Sequence, residues 1–473
     1  MDAINILCLS KGTAGADTQD KWNQPVFTSD VPASRPRSVD IAFGDVAPAL
    51  PAVIEVLPAR PTFIYERLST RTRQVEKVYV GFGEIEGTPG SIDAFSDLRS
   101  SIENALSSPR AATAVLAFMS YEALRPKSPQ RECQTLVPRY TILQPRLLLE
   151  LDYRQRTARL SGDYEAVLDT ARAALLKSAT KVREKTTIDP GIDTIERWSI
   201  RPSKHEFLKA VAEVQKEIGA RQDLDGVCLS VELESRAQID SLESYLVLRE
   251  MNPSTCMFYL EHELFSLWGA TSLPILQVRD RRIVVETDGA TRRVEPGAAD
   301  QWNPTDKELE EYDLVVAALR DDLDGVVVPA SLTFTSEREQ RTYFNLRHLF
   351  AEAVGDLAEG VDAVAALKRL TPHGAAAGYH KAAALDLIDQ VDLAPRGPYS
   401  GVIGIFDHKG DADAACVIRS TWKAGSTIRT RAGAKIVAGS DPVAEYEESI
   451  LKTLPLRRTV ELVLRRVPTG IAS

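Results

Sequence analysis

The chain has 473 residues, 44% of them hydrophobic and 26% charged, which is ordinary globular composition for one large domain or two smaller ones. A net charge of −10 and a pI near 5.4 argue against nucleic acid or an anionic membrane as partner, while leaving room for a local positive pocket that takes a small anion. Five scattered cysteines (Cys8, Cys133, Cys228, Cys256, Cys416), odd in number and without a C-x-x-C pair, point to reduced thiols in the cytoplasm rather than a disulfide framework or zinc site. No apolar run approaches the roughly 20 residues that span a bilayer. The opening MDAINILCLSKGTAGAD lacks the basic start of a signal peptide.

Residues 1–40 are polar and proline-bearing and are expected to form an irregular lead-in. Short apolar runs predict strands at Ala52–Leu57, Val78–Phe82, Ala114–Met119 and Arg146–Tyr153, with helices over Ile92–Leu106 and Glu165–Lys181. The charged stretch Arg183–Asp193, with its Pro-Gly turn, marks the boundary between an N-terminal region (1–185) and a C-terminal one (195–473).

The second region opens with a helix over Lys204–Ala220, a buried strand at Asp225–Ser230 and a helix over Ser241–Met251. A long helix is predicted over Pro304–Asp322, capped by Thr305 or Asp306, with Leu314, Val315, Ala318 and Leu319 on its apolar stripe. Val402–Phe406, Ala415–Thr421 and Ser426–Arg431 read as strands separated by turns at Lys409-Gly410-Asp411 and Ala424-Gly425. A further helix opens at Ser440-Asp441-Pro442, where a short acceptor caps and proline occupies the first turn. Glu445 and Glu448 lie three residues apart on it and so share a face. Beside a strand-to-helix loop, such a pair either holds a hard cation against an anionic ligand or is a solvated first turn that complements the helix dipole. Spacing alone favours the second.

The stretch Pro395–Ser449 resembles the signature region of the chorismate-utilising enzymes. That family includes component I of anthranilate and aminodeoxychorismate synthases and the isochorismate and salicylate synthases. The likeness runs from about Ser203 to Leu464. NPSTCMFYL (Asn252–Leu260) resembles the family's NPSPYMFYL, and RIVVETDGATRR (Arg282–Arg293) resembles the strand and loop ending ETxPIAGTR, with a short deletion. Arg347–Val354 is similar to a histidine-containing segment, and Leu370–Leu387 to the loop and helix written TVSGAPK. Earlier, AFMSYEALRP (Ala117–Pro126) resembles GYLSYE, while the tryptophan-sensing Leu-Leu-Glu-Ser reads Ile64-Tyr65-Glu66-Arg67.

The resemblance implies an α+β (α/β) fold in which two large, mostly antiparallel sheets stack face to face with helices outside and the site between halves. It implies Mg2+ held by Glu308, Glu311, Glu445 and Glu448, although Tyr312 follows Glu311 where the family has histidine. Arg419 matches the arginine that grips the enolpyruvyl carboxylate of chorismate. Tyr399, Lys381, Thr291 with Arg292, and the backbone at Gly433 and Ala434 match substrate-facing positions, and His348 the histidine near the leaving group. The family reaction adds ammonia or water at ring carbon 2 while the 4-hydroxyl leaves, which calls for a general acid and, with water, a base.

Several chemical positions depart from the family. The acid of GASPE becomes Leu273, Gly226 stands where water users carry lysine and ammonia users glutamine, and TVSGAPK loses two hydroxyls at Ala375 and Ala377. Lys435 interrupts the glycine-rich GAGIV, so its ammonium either swings to solvent or enters the anion pocket. Lys435, His380 and Glu232 are candidates for a new acid or base. The reading is a magnesium-dependent enzyme of the anthranilate or aminodeoxychorismate synthase component I type, acting on chorismate or a close derivative with altered catalytic residues. The alternative is a catalytically silent homologue that binds ligand as a regulator or scaffold; the third is an isochorismate or salicylate synthase. Ammonia use implies a separate glutamine amidotransferase subunit.

Overall fold

The computed structural model describes residues 37–42, 49–56, 59–83, 94–107, 112–125, 137–162, 195–294, 302–343, 346–392 and 394–466. The helix expected over Glu165–Lys181, the boundary at Arg183–Asp193 and most of the lead-in lie outside these residues.

Alternation along the strands explains how the apolar sequence is used. In Phe63–Leu68, Phe63 and Tyr65 enter one core cluster while Ile64 and Leu68 enter another on the opposite face. Phe258 and Leu260 alternate with Met257 and Tyr259 in the same way. The cluster holding Phe63, Tyr65 and Phe258 also takes Leu116, Phe118, Ile403 and Ile405 from a second sheet, so it is the layer between two stacked sheets. Helices Lys204–Ala220, Ser241–Met251 and Leu454–Arg466 cover the far face of the first sheet through Phe207, Tyr245 and Leu456. Helices Ala94–Ser107, Asp306–Leu323 and Ala363–Leu370 cover the far face of the second through Leu98, Leu319 and Leu367. Strands covered on both faces read as continuous apolar runs.

The first sheet has twelve strands, the second eight, and neighbours pair antiparallel. The twelve-stranded sheet follows the order Arg37–Ala42, Thr157–Gly162, Leu147–Asp152, Val75–Phe82, Phe63–Leu68, Cys256–Glu261, Ser266–Thr271, Ser420–Ala424, Thr427–Ile436, Gly226–Arg236 and Gly378–Tyr379, with Ser199–Arg201 also paired to Gly226–Arg236. The eight-stranded sheet follows Thr333–Tyr343, Leu346–Asp356, Arg282–Arg293, Pro274–Arg279, Ala412–Cys416, Val402–Asp407, Ala114–Met119 and Tyr140–Leu143. Both sheets therefore take strands from either side of residues 163–194. No helix among the described residues is long and apolar enough to cross a membrane.

Two expectations are corrected. Of the run Ala52–Leu57, the described residues 52–56 are not a strand but part of the helix Leu50–Val56, whose buried Leu50, Val53 and Ile54 follow helical spacing. The run Ala415–Thr421 is not one strand: Ala412–Cys416 belongs to the eight-stranded sheet and Ser420–Ala424 to the twelve-stranded one. Val417–Arg419 carries the chain across, with Arg419 in the left-handed region at φ +50°.

A buried polar network also ties the sheets together. Arg67 on the first sheet lies 3.7 Å from Asp413 and 3.9 Å from Glu286 on the second, with side chains 8%, 3% and 4% exposed. Arg341 reaches Glu286 at 3.1 Å, and Tyr65 and Gln277 donate to Asp413 at 2.8 and 2.6 Å.

Candidate functional site

A cavity of about 300 Å3 lies where both sheets, the crossing at Val417–Arg419 and two acid-bearing helices meet. Of the residues singled out in the sequence, Thr291, Glu308, Glu311, His348, Tyr399, Arg419, Gly433, Lys435, Glu445 and Glu448 line it. Lys381 and Ala434 do not. The Lys381 ammonium is held 2.6 and 2.7 Å from the Asp322 carboxylate and donates to the Arg369 carbonyl. Ala434 pairs with Leu229 across the twelve-stranded sheet and is buried in the core. His380 is paired with Asp225 at 2.8 Å and Glu232 lies 3.8 Å from Arg429; neither lines the cavity.

The acidic wall comes from two helix starts. Thr305 caps Asp306–Leu323 in a capping box with Glu308, whose carboxylate accepts from the Thr305 N–H at 2.7 Å and from Arg292 at 2.8 Å. Burial works against the Glu308 charge, but Thr305 and Arg292 outweigh it and hold the carboxyl below its usual range. One turn further on, burial pushes Glu311 up against the pull of Lys435 and Lys307. Asp441 caps Pro442–Lys452 by accepting from Val443 N at 2.9 Å, with proline at the first position. On that helix Glu445 is pushed up to about 7, by burial first and then by the Glu448 charge. Glu448 itself pairs with Lys452 at 2.7 Å.

The facing wall is basic. Arg419 is half-buried; loss of solvent lowers its pKa against the opposing charge of Glu448 and Asp288, and its guanidinium donates to Lys452 O at 3.3 Å. Lys435 turns into the cavity, where burial lowers its pKa; its ammonium bonds the Tyr379 hydroxyl and lies 4.2 Å from that ring's centre. Lys452 donates to Gly433 O at 2.9 Å. A side chain at Gly433 would put Cβ 2.2 Å from Leu229 O and 2.7 Å from the Tyr399 hydroxyl, so only glycine brings the backbone this close. His348 hydrogen-bonds Thr291 Oγ1 at 3.1 Å, and burial together with Arg419, Lys452 and Lys435 holds it neutral, far below the usual imidazole range.

Leu273 and Ala375 line the cavity, whereas Gly226 lies off it. Sequence reasoning missed Cys228, Asp288, Lys307 and Lys452 in the lining. Lys452 was legible, since it follows Glu448 by four residues on the same helix face. Asp288 carried no such signal within the strand Arg282–Arg293.

The short helix Gly374–Ala377 supplies Ala375 and Ala376 to the wall and is capped by His373, whose Nδ1 accepts from Ala375 N at 3.2 Å. Burial, then Lys381, lowers His373 to about 3. Between the ordinary value near 6.5 and 3 the unfolded chain takes up a proton that the folded chain refuses. Stability contributed here is therefore present above 6.5 and lost as pH falls, by up to about 1.4 kcal/mol per pH unit. Unfolding titrations of His373→Asn, which keeps a capping acceptor but cannot titrate, are expected to show a shallower acid decline than the parent. Identical slopes would count against this assignment.

Among the described residues, no three His, Cys, Asp or Glu side chains are already arranged to hold a metal ion. Glu311, Glu445 and Glu448 nevertheless line one cavity, two of them with raised pKa values in which the neighbouring carboxylates play a part. An oxygen-only set that repels itself in this way fits a hard divalent cation.

Residues 63–458 match the family described as chorismate binding enzyme. The anthranilate synthase component 1 of Haloferax volcanii is 31% identical over 319 residues, covering 64% of this chain and 60% of that protein. That of Thermococcus kodakarensis is 31% identical over 307 residues, covering 62% of this chain and 68% of the relative. The match thus spans about three-fifths of the length of the first of these relatives. The structure of the menaquinone-specific isochorismate synthase of Escherichia coli superposes with a TM-score of 0.65 at 22% identity, over 92% of this chain and 96% of that one. Anthranilate synthase component I of Streptococcus pneumoniae gives 0.62 at 19%, over 92% and 95%. Both structures share the fold.

Proposed function

Because the chain belongs to the family of chorismate binding enzymes, we propose that it is a Mg2+-dependent enzyme acting on chorismate, of the anthranilate or aminodeoxychorismate synthase component I type. The observation that carries this reading is the pairing, across one cavity, of a carboxylate wall (Glu311, Glu445, Glu448) with a cationic wall (Arg419, Lys435, Lys452). A dicarboxylate fits that polarity, with one carboxylate on the Arg419 guanidinium and the other turned toward a cation held by the acids. Bound magnesium would anchor the ring carboxylate and stabilise charge that develops there.

The chain's own residues do the rest. Arg419 grips the enolpyruvyl carboxylate with the fixed fork of a guanidinium. Lys435, with its ammonium held at Tyr379, adds a second positive charge to the anion pocket, and Gly433 allows the backbone to approach the ring carboxylate. Neutral His348 hydrogen-bonds near the departing 4-hydroxyl, its ring oriented by Thr291. Ammonia is the proposed nucleophile at ring carbon 2, delivered by a separate glutamine amidotransferase subunit.

Purified protein incubated with chorismate and magnesium, with and without ammonium, and followed by mass spectrometry tests this. Ammonium-dependent formation of an aminated product is expected. Leu273 and Ala375 in the wall favour a second reading, a ligand-binding regulator without turnover; chorismate bound in calorimetry but left unchanged would establish it. Lys435→Ala is expected to weaken chorismate binding about 10- to 150-fold, the value of a hydrogen bond to a charged group. Unaltered affinity would mean that the ammonium does not reach the ligand.

A further inference from the structure

Asp288 lines the cavity and has no part in the scheme above. It lies two residues after Glu286 on the strand Arg282–Arg293, hence on the same face, and just before the register shift between Gly289 and Thr291. That bulge, with Ala290 at φ +50°, re-aims the strand so that Asp288 Oδ2 and Thr291 Oγ1 approach the same imidazole nitrogen of His348, at 3.5 and 3.1 Å. Cys416, whose N–H donates to Leu273 O at 3.0 Å, has a thiol that feels the Asp288 charge. Asp288 thus stands at the corner of the cavity shared by His348 and Leu273, where the leucine has no proton to give.

We propose that Asp288 is the general acid that protonates the departing ring hydroxyl. This rests on the reaction assigned above. The nucleophile forms its bond to ring carbon 2 and the two ring double bonds shift along the ring. The bond from carbon 4 to its hydroxyl oxygen breaks with the electron pair on oxygen. The Asp288 proton joins that oxygen, which leaves as water, and the proton shed by the nucleophile returns through solvent to the Asp288 carboxylate.

The groups that face Asp288 are His348 from the neighbouring strand, Cys416 from Ala412–Cys416, Arg419 from the crossing, Lys435 from Thr427–Ile436 and Lys452 from Pro442–Lys452. Burial raises Asp288 above the ordinary carboxyl range against the pull of Lys435, Lys452 and Arg419. Substrate carboxylates seated on those cations would weaken that pull, so ligand binding favours the proton-bearing form.

The test is Asp288→Asn assayed beside the parent with chorismate, magnesium and ammonium. The expected result is a kcat lower by about 10²- to 10⁴-fold, with KM and calorimetric chorismate affinity changed less than about threefold. The fall of kcat with rising pH, which reports the acid form, should vanish in Asp288→Asn. Asp288→Glu should bind chorismate, recover part of the rate and show that limb again, which keeps the test decisive if the asparagine variant folds poorly. An active parent with an equally active Asp288→Asn, or a loss confined to KM, overturns the role of Asp288 alone. A parent that binds chorismate without consuming it overturns the assigned reaction and this role together.

Discussion

Glu448→Gln is expected to remove magnesium-dependent turnover of chorismate, with a loss of at least about 100-fold in magnesium affinity. The size follows from what the carboxylate touches. It pairs with Lys452 at 2.7 Å, its charge is the second cause, after burial, of the rise of Glu445 to about 7, and it opposes the lowering of the Arg419 pKa. Without it Glu445 loses its strongest repulsive partner, Lys452 loses its counter-charge, and the carboxylate wall has one fewer charge to offer a cation. Magnesium titrated by calorimetry, together with initial rates across magnesium concentration, reads the effect. Parent-like affinity and parent-like rate would sink the assignment of this wall to a metal.

Arg67→Met is expected to destabilise the protein by about 3–5 kcal/mol, as removing one partner of a buried charge network does. The guanidinium sits between Asp413 and Glu286, both almost fully enclosed. Arg341 still serves Glu286 at 3.1 Å, whereas Asp413 keeps only the neutral donors Tyr65 and Gln277 close by, with the Arg279 guanidinium at 4.0 Å. Methionine fills much of the volume but leaves those carboxylates without their shared cation. Denaturant unfolding should show the midpoint falling at nearly constant slope. An unmoved midpoint would show that Arg341 and the neutral donors suffice.

Much of the second region was legible because its signals were both local and strong. Ser203 and Thr305 begin capping boxes, Asp441-Pro442 begins a helix, and long amphipathic runs sit between them. The failures have physical causes. Ala52–Leu57 is too short for period alone to separate helix from buried strand. Ala415–Thr421 reads as one strand because both of its halves are buried, and the switch between sheets is made by an arginine at positive φ rather than by glycine. In the site, most of the residues that the family likeness singled out line one cavity. Lys381, which it also singled out, lies off that cavity with its ammonium on Asp322, and Asp288, which the bulge at Gly289–Thr291 turns toward His348, was not among them.

The way both sheets draw strands from either end of the chain bears on how the protein is made. The strand Phe63–Leu68 leaves the ribosome with Val75–Phe82 for company, but its other edge waits for Cys256–Glu261, whose first residue lies 189 positions beyond Arg67. Ala114–Met119 waits longer still, for Val402–Asp407. Until then apolar strands destined for burial on both faces present open edges, a slow, high-contact-order route on which nascent chains are exposed to aggregation. Synthesis rate and chaperone supply, rather than the final stability of the fold, would set the yield of this protein.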